Sequence, residues 1–175
     1  MRTGSHSTLR NLFFALAGVA LIVQLQGKGE APTAEATPQS VKGESETGIT
    51  QEAWNKARHY SQMGDSARHQ QDWERADKLY TEALSHAWWH PIFNNRGWVR
   101  CMKGDYAEGL SDADKAISMG SKPEDLKHYH HTRATALNGL GQVEEALEAV
   151  EKSLEYDKNF VDSLDLKAEL EDSRR

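Results

Sequence analysis

The chain has 175 residues, a formal net charge of −6 and one cysteine, Cys101. Eleven acidic and five basic side chains lie within residues 143–175, so the last part of the chain carries a charge equal to that of the whole. This acidic end disfavours nucleic-acid binding, which needs clustered Lys and Arg side chains against phosphate groups. It forms either a solvated helix face or a surface for a basic partner. A single cysteine excludes an intramolecular disulfide and a cysteine-based zinc site.

Residues 1–26 have the layout of a signal-anchor or a secretory signal. Arg2 and Arg10 precede an apolar run from Leu12 to Val23, and no acidic residue lies in this segment. A positive start followed by a short apolar core is typical of such segments. The run is shorter than the roughly 20 residues that span a bilayer, which favours a cleaved signal, but bulky residues follow it where cleavage would occur. We expect an uncleaved transmembrane anchor, with a cleaved signal, a transit peptide or a buried helix as alternatives.

The anchor predicts the localisation of the rest of the chain. Positive residues stay on the cytoplasmic side, so we expect a single-pass, membrane-anchored protein with its domain on the trans side (periplasmic or lumenal), or an exported one. Residues 27–50 are rich in Gly, Pro, Ser, Thr and Glu and contain no aromatic side chain. Such a segment buries too little apolar surface to offset the entropy of ordering. We therefore predict a flexible linker over 27–50 and a folded domain over 51–175.

A repeat of about 34 residues runs through this domain. Trp73, Tyr106 and Val143 mark equivalent positions, spaced by 33 and 37 residues. A small residue lies nine positions before each of them, a turn residue two positions before, and another small residue three positions after. These are Gly64, Gly97 and Ala134, then Gln71, Gly104 and Gly141, then Ala76, Gly109 and Ala146. Small residues at these positions let two antiparallel helices approach closely.

The repeat predicts three helical hairpins, at about 54–88, 90–120 and 124–157, and a closing helix at 159–174. Pro91 and Pro123 lie between hairpins, where a proline can begin a helix. The closing helix is expected to place its apolar residues on one side. These residues are Phe160, Leu164, Leu166 and Leu170.

This pattern resembles the tetratricopeptide repeat (TPR) family, most closely between Asn95 and Ile117. The resemblance covers roughly residues 57–158 and implies three repeats plus a closing helix. It implies an all-α fold, a right-handed superhelix of antiparallel helical hairpins (a TPR-like α-solenoid), here preceded by an apolar N-terminal helix and a disordered linker. It also implies a non-enzymatic module, because the first helices of TPR hairpins line a concave groove that takes peptides.

The resemblance carries over to the groove residue by residue. Most of these side chains are hydrogen-bonding groups, and Trp98 is a rigid apolar platform of the kind that dominates binding energy. The predicted partner-binding residues are Arg58, Gln62, Asn94, Asn95, Trp98, His128, His131, Thr132, Thr135 and Asn138. Asp65 and Arg68 of the first hairpin fall on the same face.

Chaperone-binding members of the family grip a C-terminal carboxylate with a clamp of Lys, Asn and Arg side chains. Only Asn95 matches that clamp here. Ser61 and Asp65 occupy the first pair of clamp positions, and His128 and Thr132 the last. Asp65 would repel a carboxylate, so we do not expect chaperone tails as partners.

Two groups of histidines have a spacing that could bind zinc. His86 and His90 are four residues apart on one predicted helical face, and three further histidines fall within 128–131. We interpret both groups as surface histidines, because no carboxylate or cysteine of suitable spacing completes either site. We therefore expect no catalytic residue, no metal and no cofactor.

The predicted function is a non-enzymatic scaffold that binds a protein or peptide partner in the concave groove and is tethered to or exported across a membrane. Neither nucleic acid nor a small-molecule substrate is expected. The alternative is a structural or assembly subunit of a membrane-associated complex that uses its convex face or the edge at Trp88 and Trp89. We expect these two tryptophans to pack between hairpins; an exposed adhesive patch is the alternative.

Overall fold

The structure is a computed structural model that describes residues 48–120 and 122–175. These residues form seven α-helices and no strand. The helices are α1 (Gln51–His69), α2 (Trp73–His86), α3 (His90–Lys103), α4 (Tyr106–Ser118), α5 (Pro123–Gly139), α6 (Val143–Tyr156) and α7 (Val161–Ser173). The expected all-helical solenoid is confirmed. The predicted N-terminal apolar helix and almost all of the predicted linker lie outside the described residues.

The three hairpin turns share one backbone geometry. The turn residues Gln71, Gly104 and Gly141 have positive φ angles of 58°, 88° and 75°. In each turn the next backbone N–H donates to the carbonyl five residues earlier, which is the bond that ends a helix with a left-handed residue. These bonds are Asp72 to Ala67 at 3.0 Å, Asp105 to Arg100 at 2.9 Å and Gln142 to Leu137 at 2.9 Å.

The small residues of the repeat lie where paired helices come closest. A Cβ atom on Gly97 would lie 2.9 Å from the carbonyl oxygen of Gly109, and one on Gly109 would lie 3.0 Å from that of Gly97. A Cβ atom on Gly64 would lie 2.7 Å from the ring of Tyr80. Larger side chains are therefore excluded at these crossings.

The helices form two layers. Each first helix contacts the next first helix (α1 with α3, α3 with α5, and α5 with α7), whereas α2, α4 and α6 do not approach one another. The first helices and α7 are thus the inner layer, and their free side lines a concave face.

The closing helix buries a different set of residues from the predicted one. Ser163 and Leu170 are fully buried and Leu166 packs beside them. Leu164 is 43% exposed, so its predicted place on the buried side is wrong. Residues two positions apart on a helix point about 200° apart, so Leu164 and Leu166 cannot share one face.

The link between the first two hairpins corrects one prediction. His86 ends α2 and His90 begins α3, so they do not lie on one helical face. His86 stacks on the ring of Tyr60 at 5.6 Å, and His90 Nδ1 lies 2.7 Å from the hydroxyl oxygen of Tyr129. Each histidine therefore has a packing role of its own.

The two tryptophans of this link differ in their environment. Trp89 packs against Trp54 with ring centroids 5.2 Å apart. Trp88 is 61% exposed; it touches Phe93 edge-on, and the ammonium of Lys115 lies 4.7 Å from its ring. Packing between hairpins is thus observed for Trp89, whereas Trp88 is an exposed aromatic surface.

Candidate functional site

The concave face contains a groove of about 430 Å³ between α1, α3, α5 and the start of α7. Its walls combine amide, hydroxyl, imidazole and carboxylate groups with one tryptophan. The lining residues are Arg68, Pro91, Asn94, Asn95, Trp98, Asp125, His128, Tyr129, His131, Thr132 and Asp162.

The structure brings part of the predicted partner-binding set together. Asn94, Asn95, Trp98, His128, His131 and Thr132 line the groove, whereas Arg58, Gln62, Thr135 and Asn138 do not. The guanidinium of Arg58 donates to Asn55 on an exposed part of α1. The hydroxyl of Thr135 donates to the carbonyl of His131, one turn earlier in its own helix.

Four lining residues were missed: Pro91, Asp125, Tyr129 and Asp162. Asp125 lies three positions before His128, a spacing that puts both on one helical face, so the sequence held a signal for it. The sequence contains no signal for Asp162, because the position of this residue depends on how α7 packs against α5.

Asp65 is held beside the groove by two hydrogen bonds. The hydroxyl of Tyr80 donates to Asp65 Oδ1 at 2.7 Å, and Asn95 Nδ2 donates to the same oxygen at 3.2 Å. Burial, and then the carboxylate of Asp65, raise the pKa of Tyr80, so this hydroxyl stays protonated. These two bonds fix the carboxylate beside Asn95.

Two buried polar atoms of the groove walls have no hydrogen-bond partner. They are Arg68 Nε, a donor, and Asn94 Oδ1, an acceptor, and they are the two such side-chain atoms among the described residues. Asn94 is only 8% exposed, and the guanidinium of Arg68 lies 5.7 Å from the ring of Trp98. Each buried polar atom left unpaired costs about 1–3 kcal/mol. Both therefore favour a ligand that supplies an acceptor and a donor.

The histidines of α5 have distinct surroundings. His131 Nδ1 lies 3.1 Å from Ser163 Oγ, which lies 2.8 Å from Ser153 Oγ, and Ser153 donates to the carbonyl of Lys127 at 2.7 Å. These hydrogen bonds join α7 to α5 and α6. Burial lowers the pKa of His131; partial burial, and then the charge of Lys127, lower that of His128, so both imidazoles are neutral at pH 7. His128 is exposed as predicted, whereas half-buried His131 is not a surface histidine.

Cys101 lies outside the groove lining. It is 3% exposed, and a Cβ atom on Gly109 would lie 2.8 Å from its sulfur. Burial, and then the charge of Asp112, raise the pKa of this thiol to about 12. Its environment is that of a core residue.

No family model matches the chain. Among curated proteins, the heat shock protein sti1 homolog of Schizosaccharomyces pombe is 31% identical over 97 residues, which cover 55% of this chain and 16% of that protein. Heat shock protein STI1 of Saccharomyces cerevisiae is 30% identical over 103 residues, covering 58% of this chain and 17% of that protein. The matches thus span about a sixth of these relatives' length.

Several solved structures that resemble the chain are TPR domains. The first TPR of Spaghetti (RPAP3) bound to the HSP90 peptide SRMEEVD superposes with a TM-score of 0.63 at 19% identity, covering 69% of this chain and 94% of that one. The Arabidopsis OM64 TPR domain gives 0.64 at 17%, covering 69% and 98%. The TPR2B domain of yeast Sti1 in complex with pHsp70 gives 0.61 at 21%, covering 68% and 98%. The described domain has the tetratricopeptide-repeat fold. Its three hairpins and closing helix confirm the resemblance seen in the sequence.

The comparisons contradict the predicted localisation of the chain. That prediction, a single-pass anchor with the domain on the trans side or an exported domain, rested on the apolar run at the N-terminus, which lies outside the described residues. Within 48–120 and 122–175, no helix is long and apolar enough to cross a membrane. The matching proteins are the heat shock proteins STI1 and its homolog. The prediction of a membrane-anchored or exported domain is therefore wrong.

Proposed function

We infer that residues 51–175 form a non-catalytic interaction module that binds an extended segment of a partner protein in the groove. The observation that carries this proposal is the pair of unpartnered atoms, Arg68 Nε and Asn94 Oδ1. Each peptide unit supplies a carbonyl acceptor and an N–H donor. An extended segment laid across α1 and α3 therefore offers a donor and an acceptor beside these two residues.

The aromatic wall of the groove supports the same proposal. Trp98 packs edge-on against Trp73, with ring centroids 5.5 Å apart, and so cannot move freely. A fixed indole loses little entropy when a ligand covers it, which is why tryptophan is enriched among residues that dominate binding energy. We propose Asn94, Asn95 and Trp98 as the centre of the site, with His128, His131 and Thr132 continuing it along α5.

The structural neighbours add support from their own complexes. The first TPR of Spaghetti (RPAP3) is bound to an HSP90 peptide, and the second TPR domain of human RPAP3 is in complex with the HSP70 peptide SGPTIEEVD. The same hairpin stack therefore holds short peptide segments in proteins that resemble this chain.

A second candidate is a structural or assembly role that uses the outer surface. The exposed ring of Trp88, beside Phe93 and Lys115, favours it. Aromatic side chains exposed on this scale are enriched at protein interfaces.

A photo-crosslinking amino acid placed at His128, in the groove, and separately at Ser111, beside Trp88, separates the two candidates. We expect a partner protein to crosslink from position 128 and not from 111. The Asn95→Ala, Trp98→Ala double variant should abolish that crosslink, provided its helical circular dichroism matches wild type. Crosslinking from 111 alone would replace the groove proposal with the assembly role.

A further inference from the structure

The charged side chains of the groove are unevenly distributed along it. Arg68, its one cationic side chain, comes from α1, and the carboxylate of Asp65 lies three positions earlier on the same helix. Asp125 and Asp162 lie in the first turns of α5 and α7. Alternate helices of a hairpin stack run in the same direction, so these two turns lie at the same end of the groove. Two of the carboxylates that line the groove are therefore at that end.

The histidines of α5 do not neutralise this charge. Burial lowers the pKa of His128 and of His131, so neither ring is cationic at neutral pH. The described lining therefore contains one cation and two carboxylates, with the carboxylate of Asp65 directly behind Asn95.

An unpartnered acceptor is an independent sign that the groove takes a ligand with N–H groups. Asn94 Oδ1 is buried in the groove wall without a hydrogen bond, in a residue only 8% exposed. It needs an N–H group from the ligand, which a lysine, an arginine or a backbone amide supplies. A carboxylate has no donor to offer and would itself be repelled by the two aspartates.

We propose that the groove selects a basic partner segment, whose lysine or arginine side chain lies near Asp125 and Asp162 and whose N–H groups reach Asn94 Oδ1. This inference rests on the proposed groove function and specifies the chemistry of its ligand. It is the opposite of the acidic peptides SRMEEVD and SGPTIEEVD held by the neighbouring structures. The charge of residues 143–175, equal to −6, attracts the same class of partner at longer range.

The test starts from a random-sequence peptide array probed with the full chain. We expect bound peptides to be enriched in Lys and Arg, and their affinity to fall as salt is added. The best peptide is then measured in solution by fluorescence anisotropy, beside SRMEEVD and a version of the best peptide with Lys and Arg replaced by Gln. The photo-crosslinker at His128 reports whether binding occurs in the groove.

Variants identify the groups that select charge. Asp162→Asn should weaken the basic peptide about two- to fivefold, the size expected of one partly exposed ion pair, and Asp162→Lys by more. Glu108→Gln removes the same charge from an exposed first-turn position on α4, outside the groove lining, and should leave the affinity unchanged. A first-turn aspartate also stabilises its own helix, so the melting temperature of each variant is recorded. An Asp162→Asn variant that melts earlier but binds equally well would overturn the inference.

The remaining outcomes separate the two proposals. If acidic peptides such as SRMEEVD bind better and crosslink from position 128, the charge inference is overturned and the groove function stands. If peptides of either charge bind without crosslinking from 128, or if none binds, both proposals fail.

Discussion

The guanidinium of Arg96 holds the carboxylate of Asp112 by two hydrogen bonds, from Nε to Oδ2 at 2.8 Å and from Nη2 to Oδ1 at 2.7 Å. Arg100 donates a third, from Nη1 to Oδ2 at 2.9 Å. Arg100 and Lys103 also reach Asp77, at 3.1 Å and 2.8 Å. Alternating charges therefore join α2, α3 and α4, and the side chain of Asp112 at their centre is only 5% exposed.

Asp112→Asn should destabilise the domain by about 3 kcal/mol, because removing one member of a buried ion pair leaves the other charge uncompensated. Urea unfolding followed by circular dichroism measures the change. Asp114→Asn is the matched control: its bond to Arg133 is at the surface, so the loss should stay below about 1 kcal/mol. Equal losses for the two variants would show that the buried network stabilises the domain no more than a surface ion pair does.

Gln71→Gly should stabilise the domain by about 0.5–1 kcal/mol. Gln71 has a φ angle of 58°, in the left-handed region that disfavours residues with a Cβ atom, and the equivalent turns use glycine. Thermal and urea unfolding would measure the gain. The reverse change, Gly141→Gln, should cost a similar amount. A Gln71→Gly variant no more stable than wild type would mean that its side chain makes a compensating contact.

The hairpins could be predicted because their determinants are local. Each turn residue and each small residue recurs at a fixed offset from Trp73, Tyr106 or Val143. Each offset therefore corresponds to one feature of the backbone, either a left-handed turn residue or a close helix crossing. The Gly97–Gly109 contact is the clearest case, since both residues stand in small-residue columns.

The lining of the groove was harder to predict, because it depends on contacts between helices that are far apart in the sequence. Asp162 joins the groove lining only because α7 packs on α5. Asn94 Oδ1 lacks a hydrogen bond only because no donor of the neighbouring helices reaches it. The family resemblance predicts which helix faces line the groove, and Asn95 and Trp98 lie on them. It also gave Arg58 and Gln62, which lie on α1 outside the groove lining.

Gly97→Leu should cost about 1–3 kcal/mol through overpacking. A Cβ atom there would already lie 2.9 Å from a backbone oxygen of α4 and 3.1 Å from Asp112 Cβ, and neither can move without separating the helices. Ala107→Leu adds a leucine at an exposed position of α4 and should change stability by less than about 0.5 kcal/mol. An unchanged melting temperature for Gly97→Leu would contradict the observed α3–α4 crossing.

The thiol of Cys101 should react slowly with Ellman's reagent in the folded protein. It is 3% exposed and burial raises its pKa to about 12, so little thiolate forms at neutral pH. Because the chain has one cysteine, the reaction rate should rise with urea in step with the loss of helical circular dichroism. Ser111→Cys, at an exposed position, should add one fast-reacting thiol. Fast reaction of the wild-type protein without urea would mean that α3 and α4 separate readily at Cys101.

Lowering the pH should weaken the attachment of α7. Burial is the main cause that lowers the pKa of His131 in the folded protein; the carboxylate of Asp162 opposes it and His128 adds to it. As the pH falls below the ordinary histidine value of about 6.5, the unfolded chain binds the proton first, so stability present above that pH is lost progressively below it. His131→Asn keeps a polar atom near Ser163 but does not titrate, so the free energy of unfolding should fall less between neutral and mildly acidic pH. His59→Gln, which removes an exposed imidazole from α1, is the control and should keep the wild-type slope. If His131→Asn and wild type lose stability in parallel, another group drives the acid sensitivity of the domain.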